Sequence, residues 1–417
     1  MQQIIIVECI SSSINYIEDI RNAGYEPVIL EVNHHPDDLA DYMEYRKSAY
    51  SLIEGGMPER IQEKDTYEET LQMVKDRNPR LVIAGTDKGI SLATHLAHDL
   101  GLPGNDPKYI DQMIYKDRMQ EALKNAGLRH IRSAVISTYD EAREFFRICG
   151  KVVLKPLDGA ATVGVCVCQN EEELKNAVDL NQRYAANRNG TFLIQEFIDG
   201  VEYVVDTVSC NGRVWPTLVQ RYHVKEFPGY GMIYDYIEYL PLKDTDSELI
   251  EYAVNAIKTI GVENGVSHNE FFMDEHGPVL VEVNVRPCGG SEKASFQDMI
   301  YAYHETAIGL QCLLEPESFA QFMDELPDDL AGYGAYKSLI MYRDTFVKHS
   351  HVKEICDSLS TCRYELLRGD GELYPRTIDL HTQGGSIYLA GKKEDVYRDL
   401  HYIQMLEEQH PELLYES

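Results

Sequence analysis

VLVEVNVRPCGGS, residues 279–291, alternates two kinds of side chain. Valine occupies every second position from 279 to 285, which predicts one apolar face of a β-strand. The other face carries an anion, an amide and a cation, namely Glu282, Asn284 and Arg286. A half-solvated antiparallel strand is the ordinary explanation for such a polar face, and this segment alone does not distinguish it from a binding site.

The preceding segment, VSHNEFFMDEHGPVL, predicts the partner strand of a hairpin, with DEHGP as the turn. If the hairpin is symmetric about His276, Glu270 faces Glu282 and His268 faces Asn284. Directly paired residues have Cβ atoms about 4.5–5.5 Å apart, and like charges in that relation destabilise a sheet. Protonation, solvent or a divalent cation between the two carboxylates would relieve the repulsion.

The polar face of this hairpin offers oxygen ligands from Glu270, Glu282 and the Asn284 side-chain carbonyl. Such a set suits Mg²⁺ or Mn²⁺, and Mg²⁺ keeps open positions that phosphate oxygens usually fill. The prediction depends on register, because a slip of one residue turns one set of side chains to the other face. A phosphate ligand would also require cations and free backbone amides elsewhere in the chain.

A lysine and a glycine-containing loop supply such groups in VVLKPLDGAATVGV. Lys155 ends a predicted buried strand, where an isolated ammonium group is costly. The loop after it includes Gly159 and Thr162 among small residues that let backbone amides approach an anion. Most loops of this kind are ordinary turns. Lys116, on a helix predicted over 113–128, has by itself the features of a solvated surface lysine.

A third segment, LIQEFIDGVEYVVD, connects two predicted strands. Backbone groups of Glu196 and Ile198 could contact a flat heterocycle there, and the Glu202 carboxylate could bind two adjacent hydroxyl groups. A polar hinge between strands explains the same residues, and it is the simpler interpretation of this segment taken singly.

The composition limits the classes of function. The chain has 417 residues, enough for two to four compact units. Its 39 Lys and Arg against 69 Asp and Glu give a net charge of −30, which repels nucleic acid and anionic membranes. Nine scattered cysteines without metal-ligand spacing indicate reduced thiols. Neither a signal peptide nor a spanning segment is predicted, so we expect a cytoplasmic protein without nucleic-acid or membrane partners.

Strand and helix patterns divide the chain into three predicted units. Strands QIIIVEC, PVILEV and LVIAGTD alternate with helices, which predicts a Rossmann-like parallel α/β domain over 1–112. No G-x-G-x-x-G follows the first strand, so a dinucleotide site is not supported there. A second domain is predicted over 113–330, with a smaller lobe at about 130–200 and an antiparallel run of three strands within 191–224. A small α+β unit covers 331–417.

In their order along the chain, these motifs resemble the ATP-grasp superfamily. Lys116 comes first, then Lys155 with its loop, then the hinge E-F-I-D-G-x-E, then Glu270, then E-x-N-x-R. The spacings K-P-x-x-G-x-x-T-x-G-V and E-x-N-x-R-P-x-G-G are similar to those of its carboxylate–amine ligases, and among them the chain looks most like L-amino acid ligases. The resemblance covers roughly residues 1–330 and implies an ATP-grasp fold behind the amino-terminal domain.

Carried over position by position, the resemblance implies a site for ATP and for Mg²⁺ (or Mn²⁺). The phosphates are implied to be held by Lys116, Lys155, Gly159 and Thr162. Adenine is implied to be held by Glu196 and Ile198, and ribose by Glu202. Those implied to bind two Mg²⁺ ions are Glu270, Glu282 and Asn284. Arg286 would neutralise charge on the transferring phosphoryl group. Thr162 stands where Ser is common, and Val163 where many relatives carry a basic residue, so one phosphate contact is in doubt.

The implied reaction activates a carboxylate. A carboxylate oxygen is a poor leaving group, whereas phosphorylation by ATP gives an acyl phosphate that an amine can attack. Arg286 and the amides of Gly289 and Gly290 are expected to stabilise the developing negative charge. His268 is a candidate base, with a structural histidine as an equal alternative, and Arg221 is a candidate partner of a substrate carboxylate.

Three functions stay open at this point. The first is an ADP-forming ligase that joins an amino acid carboxylate to an amine, such as that of another amino acid. The second is a carboxylase or formate-using ligase of nucleotide or cofactor biosynthesis. The third is a nucleotide-binding protein without catalysis. The expected partners are small-molecule amino acid substrates, and the carboxy-terminal unit could form a homodimer face.

Overall fold

The structure is a computed structural model that describes residues 1–34, 39–157, 164–185, 190–227, 231–290, 292–326, 332–378 and 382–415. Gly159 and Thr162, which the resemblance assigns to phosphate contacts, lie outside these ranges. None of the helices within them is long and apolar enough to cross a membrane.

A four-stranded parallel sheet forms the first part of the chain, as predicted. Its strand order is β3-β2-β1-β4, with β1 between β2 and β4. Ile4, Ile5 and Ile6 are fully buried, because a parallel sheet is covered on both faces. The strands are β1 (Gln3–Val7), β2 (Glu26–Glu31), β3 (Glu59–Gln62) and β4 (Leu81–Ala84), and the helices are α1 (Asn15–Asn22), α2 (Leu39–Tyr50), α3 (Tyr67–Asp76) and α4 (Ile90–Asp99).

The single helix predicted over 113–128 is wrong, because the structure has two helices there. They are α5 (Ile110–Ile114) and α6 (Lys116–Asn125). Tyr115 between them is extended, with φ −97° and ψ 121°, which interrupts the helical hydrogen bonds. Met113 before the break and Met119 after it enter the same hydrophobic core. Lys116 therefore begins α6.

A second, smaller sheet is antiparallel and has the order β5-β8-β6-β7. Its third strand ends at Lys155, as predicted. The strand over 192–196 belongs to this smaller sheet. The prediction that it forms one antiparallel run with the next two strands is therefore wrong for this strand. The elements are β5 (Ser133–Ile136), α7 (Tyr139–Cys149), β6 (Val152–Lys155), β7 (Cys166–Cys168), α8 (Glu171–Ala185) and β8 (Phe192–Glu196).

An eight-stranded antiparallel sheet follows, with the order β13-β12-β9-β10-β11-β14-β18-β16. Its strands before residue 300 are β9 (Val201–Cys210), β10 (Arg213–Phe227), β11 (Gly231–Leu240), β12 (Gly265–Asp274) and β13 (Gly277–Asn284). The later strands are β14 (Tyr333–Leu339), β15 (Thr345–Phe346), β16 (Thr361–Leu366), β17 (Leu373–Tyr374) and β18 (Gly385–Gly391), of which β15 and β17 pair only with each other. Three strands of the unit predicted over 331–417 thus extend the large sheet.

Helices cover one face of the large sheet. Phe271 and Leu280 on this face share a core with Leu249, Ala256 and Ile257 of α9. The opposite face of the central strands lines a cavity. The remaining helices are α9 (Ser247–Ile260), α10 (Ala294–Tyr301), α11 (Glu305–Leu314), α12 (Pro316–Glu325), α13 (His349–Cys356), α14 (Lys393–Gln409) and α15 (Pro411–Leu414).

The β12–β13 hairpin has the predicted pairing at its polar residues. Glu270 pairs with Glu282, and His268 pairs with Asn284. The turn, however, is centred between Glu275 and His276, half a residue before the predicted centre, and a bulge after Glu270 leaves Val281 unpaired, so that the pairing beyond it is as predicted. Leu280, rather than Val281, therefore joins the core, so the expected valine alternation is wrong at that position.

Candidate active site

The cavity holds about 480 Å³ and lies on the face of the large sheet opposite α9. Four of its lining residues belong to one row of five residues across five adjacent strands. Glu282 pairs with Glu270, Glu270 with Val204, Val204 with Gln220 and Gln220 with Tyr239. All but Val204 line the cavity. Residues in direct register on one face are neighbours, so the two glutamates lie side by side at one end of the row and Tyr239 lies at the other.

A second row runs parallel to the first and is mostly aromatic. Phe272 pairs with Glu202 at one end, and at the other end Tyr222, Ile237, Tyr336 and Tyr388 are successive partners across four strands. All six side chains line the cavity. The cavity thus has a carboxylate end and a tyrosine-lined end.

The carboxylates at the first end repel one another. Burial and the neighbouring Glu282 and Glu202 raise the pKa of Glu270. Burial would also raise the pKa of Glu282, but its ion pair with Lys116 keeps the pKa below the usual range. Burial raises the pKa of Glu202, which accepts a 3.0 Å hydrogen bond from Tyr234. This concentration of negative charge is the environment that a bound cation stabilises.

The two predicted phosphate lysines also line the cavity. Lys155 is only 8% exposed, so the end of its strand buries an ammonium group as the sequence predicts. Burial and the nearby Lys116 lower the pKa of Lys155 to about 8. A bound anion between the two lysines would reverse that effect.

The small sheet supplies the other wall, where Glu196 and Ile198 lie as predicted lining residues. The Glu196 carboxylate accepts a 2.8 Å hydrogen bond from the backbone N–H of Arg132, so this side chain is already engaged. The apolar and amide side chains around these two residues are Ile131, Val153, Val165, Val167, Gln195 and Phe197. This wall is mostly apolar, as a binding site for a heterocycle commonly is.

His268 lines the cavity and pairs with a buried carboxylate. Its Nδ1 lies 2.8 Å from Asp206 Oδ1. Burial would lower the pKa of His268, but the Asp206 carboxylate raises it to about 9. Asp206 thus favours the protonated imidazole, and the role of His268 as a base stays a prediction.

Arg286 and Asn284 adjoin the cavity without lining it. The Arg286 guanidinium forms a two-pronged ion pair with Asp87, with 3.0 Å from Nε to Oδ1 and 3.0 Å from Nη2 to Oδ2. Asn284 Nδ2 donates to His268 O at 3.3 Å and to Glu282 Oε1 at 3.2 Å. Asp87 thus ties Arg286 to the amino-terminal α/β part, and Asn284 braces the hairpin.

Arg221 does not face the cavity, so its predicted contact with a substrate carboxylate is wrong in this structure. Its neighbours Gln220 and Tyr222 line the cavity, and alternation in a strand turns Arg221 to the other face. There its guanidinium carbon lies 6.0 Å from the centre of the Tyr203 ring. The period of two is visible in the sequence, but which face meets the ligand is not.

The chain resembles known proteins in sequence and in fold. The sequence pattern of the ATP-grasp domain family matches residues 148–295. The chain carries an ATP-grasp domain. The match includes Lys155, the hinge and the hairpin glutamates, and it leaves the amino-terminal and carboxy-terminal parts outside the domain as this pattern defines it.

The curated proteins that this chain resembles include two ligases by name. Dapdiamide A synthase of Enterobacter agglomerans is 27% identical over 262 residues, which are 61% of each chain. Alanine–anticapsin ligase of Bacillus subtilis is 22% identical over 306 residues, which are 66% of this chain and 62% of that protein. Each match spans less than two thirds of the relative's own length. An L-amino acid ligase structure from Bacillus licheniformis shares the fold over 97% of both chains, with a TM-score of 0.72 at 15% identity.

The ATP-grasp cavity also contains residues that the sequence analysis missed. Gly289 and Gly290 line it as expected, and beside them lies Glu292, which was not predicted. Tyr239 of β11, Tyr336 of β14 and Tyr388 of β18 were missed as well. Their only signal is the high tyrosine content, 28 residues in the chain, because cross-strand rows between distant segments leave no local pattern.

A divalent cation fits the carboxylate end only with help from a ligand. Within the described ranges, no three His, Cys, Asp or Glu side chains are grouped as a metal site. The hairpin offers two carboxylates, Glu270 and Glu282, with the Asn284 amide adjacent. Mg²⁺ commonly takes one or two carboxylates and completes its shell with water and substrate phosphate, so the residues present fit a nucleotide-bound Mg²⁺.

Proposed function

We propose that this protein is an ATP-dependent, ADP-forming ligase that activates an amino acid carboxylate as an acyl phosphate and joins it to the amine of a second amino acid. One observation carries the proposal: the cavity places two lysines and the paired glutamates Glu270 and Glu282 between an apolar wall and a tyrosine-lined end. The first wall suits a nucleotide base, and the second end leaves room for a small acid and an amine.

The nucleotide part of the proposal rests on charge. ATP brings several negative charges into a protein with net charge −30, so it needs a local group of cations. Lys116 and Lys155 form that group, and burial together with the nearby Lys116 lowers the pKa of Lys155, an effect that a bound anion would oppose. We propose that both contact phosphate oxygens, and that Glu202 contacts the ribose. Mg²⁺ bound at Glu270 and Glu282 would neutralise phosphate charge during transfer.

The proposed reaction has two chemical steps, phosphorylation of the carboxylate and attack by the amine. A substrate carboxylate oxygen attacks the γ-phosphorus of ATP, the bond to the bridging oxygen breaks, and ADP leaves. The amine nitrogen then attacks the acyl carbon, phosphate leaves with the C–O bonding pair, and the nitrogen loses a proton. Gly289 and Gly290 lie beside the cavity where backbone N–H groups can face the developing oxyanion. The buried walls keep water from the acyl phosphate.

The test is phosphate release by the purified protein with ATP, Mg²⁺ and pairs of amino acids, with products identified by mass spectrometry. Release should require an amino acid, and a dipeptide should appear. Glu270→Gln and Glu282→Gln should each lower turnover by about a hundredfold or more, the usual loss for an electrostatic group of this kind. Arg221→Ala is the matched control, because Arg221 is charged, lies on β10 of the same sheet and faces away from the cavity.

Two results would overturn the proposal. Phosphate release that depends on bicarbonate or formate, and not on any amino acid, would indicate a carboxylase or formate-using ligase. Binding of ATP with no phosphate release under any of these conditions would indicate a nucleotide-binding protein without catalysis.

A further inference from the structure

Glu292 is a buried carboxylate at the tyrosine-lined end of the cavity. It is 7% exposed and lines the cavity with Gly289 and Gly290. Its Oε2 accepts a 2.6 Å hydrogen bond from the hydroxyl of Tyr239. Its Oε1 is buried and has no hydrogen-bond partner in the described part of the chain. The Gln297 side chain is near enough to favour the charged form of the Glu292 carboxyl group, yet it makes no hydrogen bond of ordinary geometry with Oε1.

A carboxylate oxygen in this position is costly without a donor. Burying an unpaired charged group carries a large desolvation penalty. Burial accordingly raises the pKa of Glu292 to about 7. Asp206 Oδ2 and Glu305 Oε1 are also buried without a partner among the described residues, so negative groups surround this end. His268 and Arg286 are the cations nearby, and each already pairs with its own carboxylate.

The backbone of Glu292 is fixed from the amino-terminal α/β part. Its N–H donates to Ser12 Oγ at 2.9 Å, and its carbonyl accepts from Asn15 Nδ2 at 2.8 Å. With Tyr239 holding Oε2, the side chain and the backbone are both restrained. A restrained carboxylate with one open oxygen is a preorganised acceptor for a cationic donor.

We propose that Glu292 binds the α-ammonium group of the amino acid whose carboxylate is activated, and so selects amino acids over other carboxylic acids. This inference rests on the proposed ligase function. An α-ammonium carries one positive charge and three N–H donors, and one of them would satisfy Oε1. The substrate side chain would then lie against Ile237, Tyr336 and Tyr388, which share this end.

The cross-strand row sets the spacing. Tyr239, which holds Glu292, stands three strands from Glu270 in direct register. At about 4.8 Å per strand this is roughly 14 Å between backbone positions. Side chains project into the cavity from both ends of that span. We propose that the space left between these side chains accommodates a transferring phosphoryl group, the substrate carboxyl group and its α-carbon. The α-ammonium group would then reach Glu292 while the carboxylate faces Glu270 and Glu282.

Hydroxylamine trapping tests this role without an acceptor amino acid. The wild-type protein with ATP, Mg²⁺ and hydroxylamine should form hydroxamates from L-amino acids, with kcat/KM about a hundredfold above that for the matching acids that lack the amino group. Glu292→Gln should lose most of that preference. Its kcat/KM should fall for the amino acid and stay unchanged for the matching acid that lacks the amino group. Glu305→Gln is the matched control, because Glu305 is an equally buried glutamate near Asp206 that does not line the cavity.

Calorimetric binding of the same amino acid, with a non-hydrolysable ATP analogue and Mg²⁺, separates this inference from the ligase proposal. Glu292→Gln should bind the nucleotide analogue normally and lose the amino acid. An equal loss with both acids, or an unchanged preference, would overturn the role of Glu292 alone. If the amino acid binds through Glu292 but no hydroxamate forms, the ligase proposal is overturned and the binding role of Glu292 is kept. If the wild-type protein binds no amino acid, both the ligase proposal and the role of Glu292 are overturned.

Discussion

His304 joins the amino-terminal α/β part to the helices beside the large sheet, and its replacement should remove a pH-dependent part of the stability. Its Nδ1 lies 2.8 Å from Asp298 Oδ1, and its Nε2 lies 2.9 Å from Asp19 Oδ1. A carboxylate only accepts hydrogen bonds, so both ring nitrogens must carry protons. Burial would lower the pKa of His304, but the two carboxylates raise it from 6.5 to about 9.

The folded protein therefore binds this proton more tightly than the unfolded chain does. The stabilisation is complete below pH 6.5 and is lost as the pH rises through about 9. A pKa rise of this size corresponds to roughly 3 kcal/mol. Because Asp298 is 46% exposed, solvent screening reduces our expectation to about 2 kcal/mol. In a chain of this length that is a shift of about 2–4 °C in the unfolding midpoint.

The measurement is thermal unfolding of the wild type and His304→Gln at pH 6, 7.5 and 9.5, with hydrogen exchange of α1 as a local probe. Glutamine keeps one donor and has no charge that titrates. The variant should be about 2–4 °C less stable at pH 6, and the difference should shrink towards pH 9.5. His98→Gln, an exposed histidine beside Asp99, is the control and should show no such trend. A difference that is constant with pH, or that grows as the pH rises, would refute the reasoning.

Three further outcomes follow from the geometry. Lys155→Met should weaken binding of a non-hydrolysable ATP analogue by tenfold or more in calorimetry, since a phosphate partner is lost, and unchanged affinity would exclude Lys155 from the phosphate site. Arg221→Ala should keep kcat/KM within about twofold of wild type in the phosphate-release assay, because its side chain faces away from the cavity; a large rise in KM for the amino acid would show that the face is misassigned. Gly85→Ala should lower the free energy of unfolding in urea by about 2 kcal/mol, because the new Cβ would lie 2.3 Å from the Glu8 carbonyl oxygen, and an unchanged urea midpoint would mean that β1 and β4 can separate there.

Local sequence determined the parts of the site that lie within one or two consecutive strands. The pairing of Glu270 with Glu282 follows from a hairpin whose two strands are joined by a short turn, so the register needs no distant information. Lys155 at the end of a buried strand follows from a run of apolar residues beside a glycine-rich segment. The parallel sheet of the first part follows in the same way from strands that alternate with helices.

Other features needed the tertiary structure. The break at Tyr115 lies inside a continuous helical pattern, and Met113 and Met119 on either side of it enter the same core from two helices. The bulge at Val281 brings Leu280 to the core in a segment whose valines alternate without interruption. In each case a packing contact outweighs a local preference of comparable size.

The tyrosine-lined end shows the same limit most clearly. Ile237, Tyr336 and Tyr388 are direct neighbours only because β11, β14 and β18 lie side by side, although about 100 and 50 residues separate them along the chain. Glu292 becomes a cavity residue only because Tyr239 and Ser12 hold it from two other parts of the fold. The sequence by itself determined the charged half of the cavity, since hairpin pairing is local; the half that we propose receives the amino acid was decided by strand order, which depends on long-range packing.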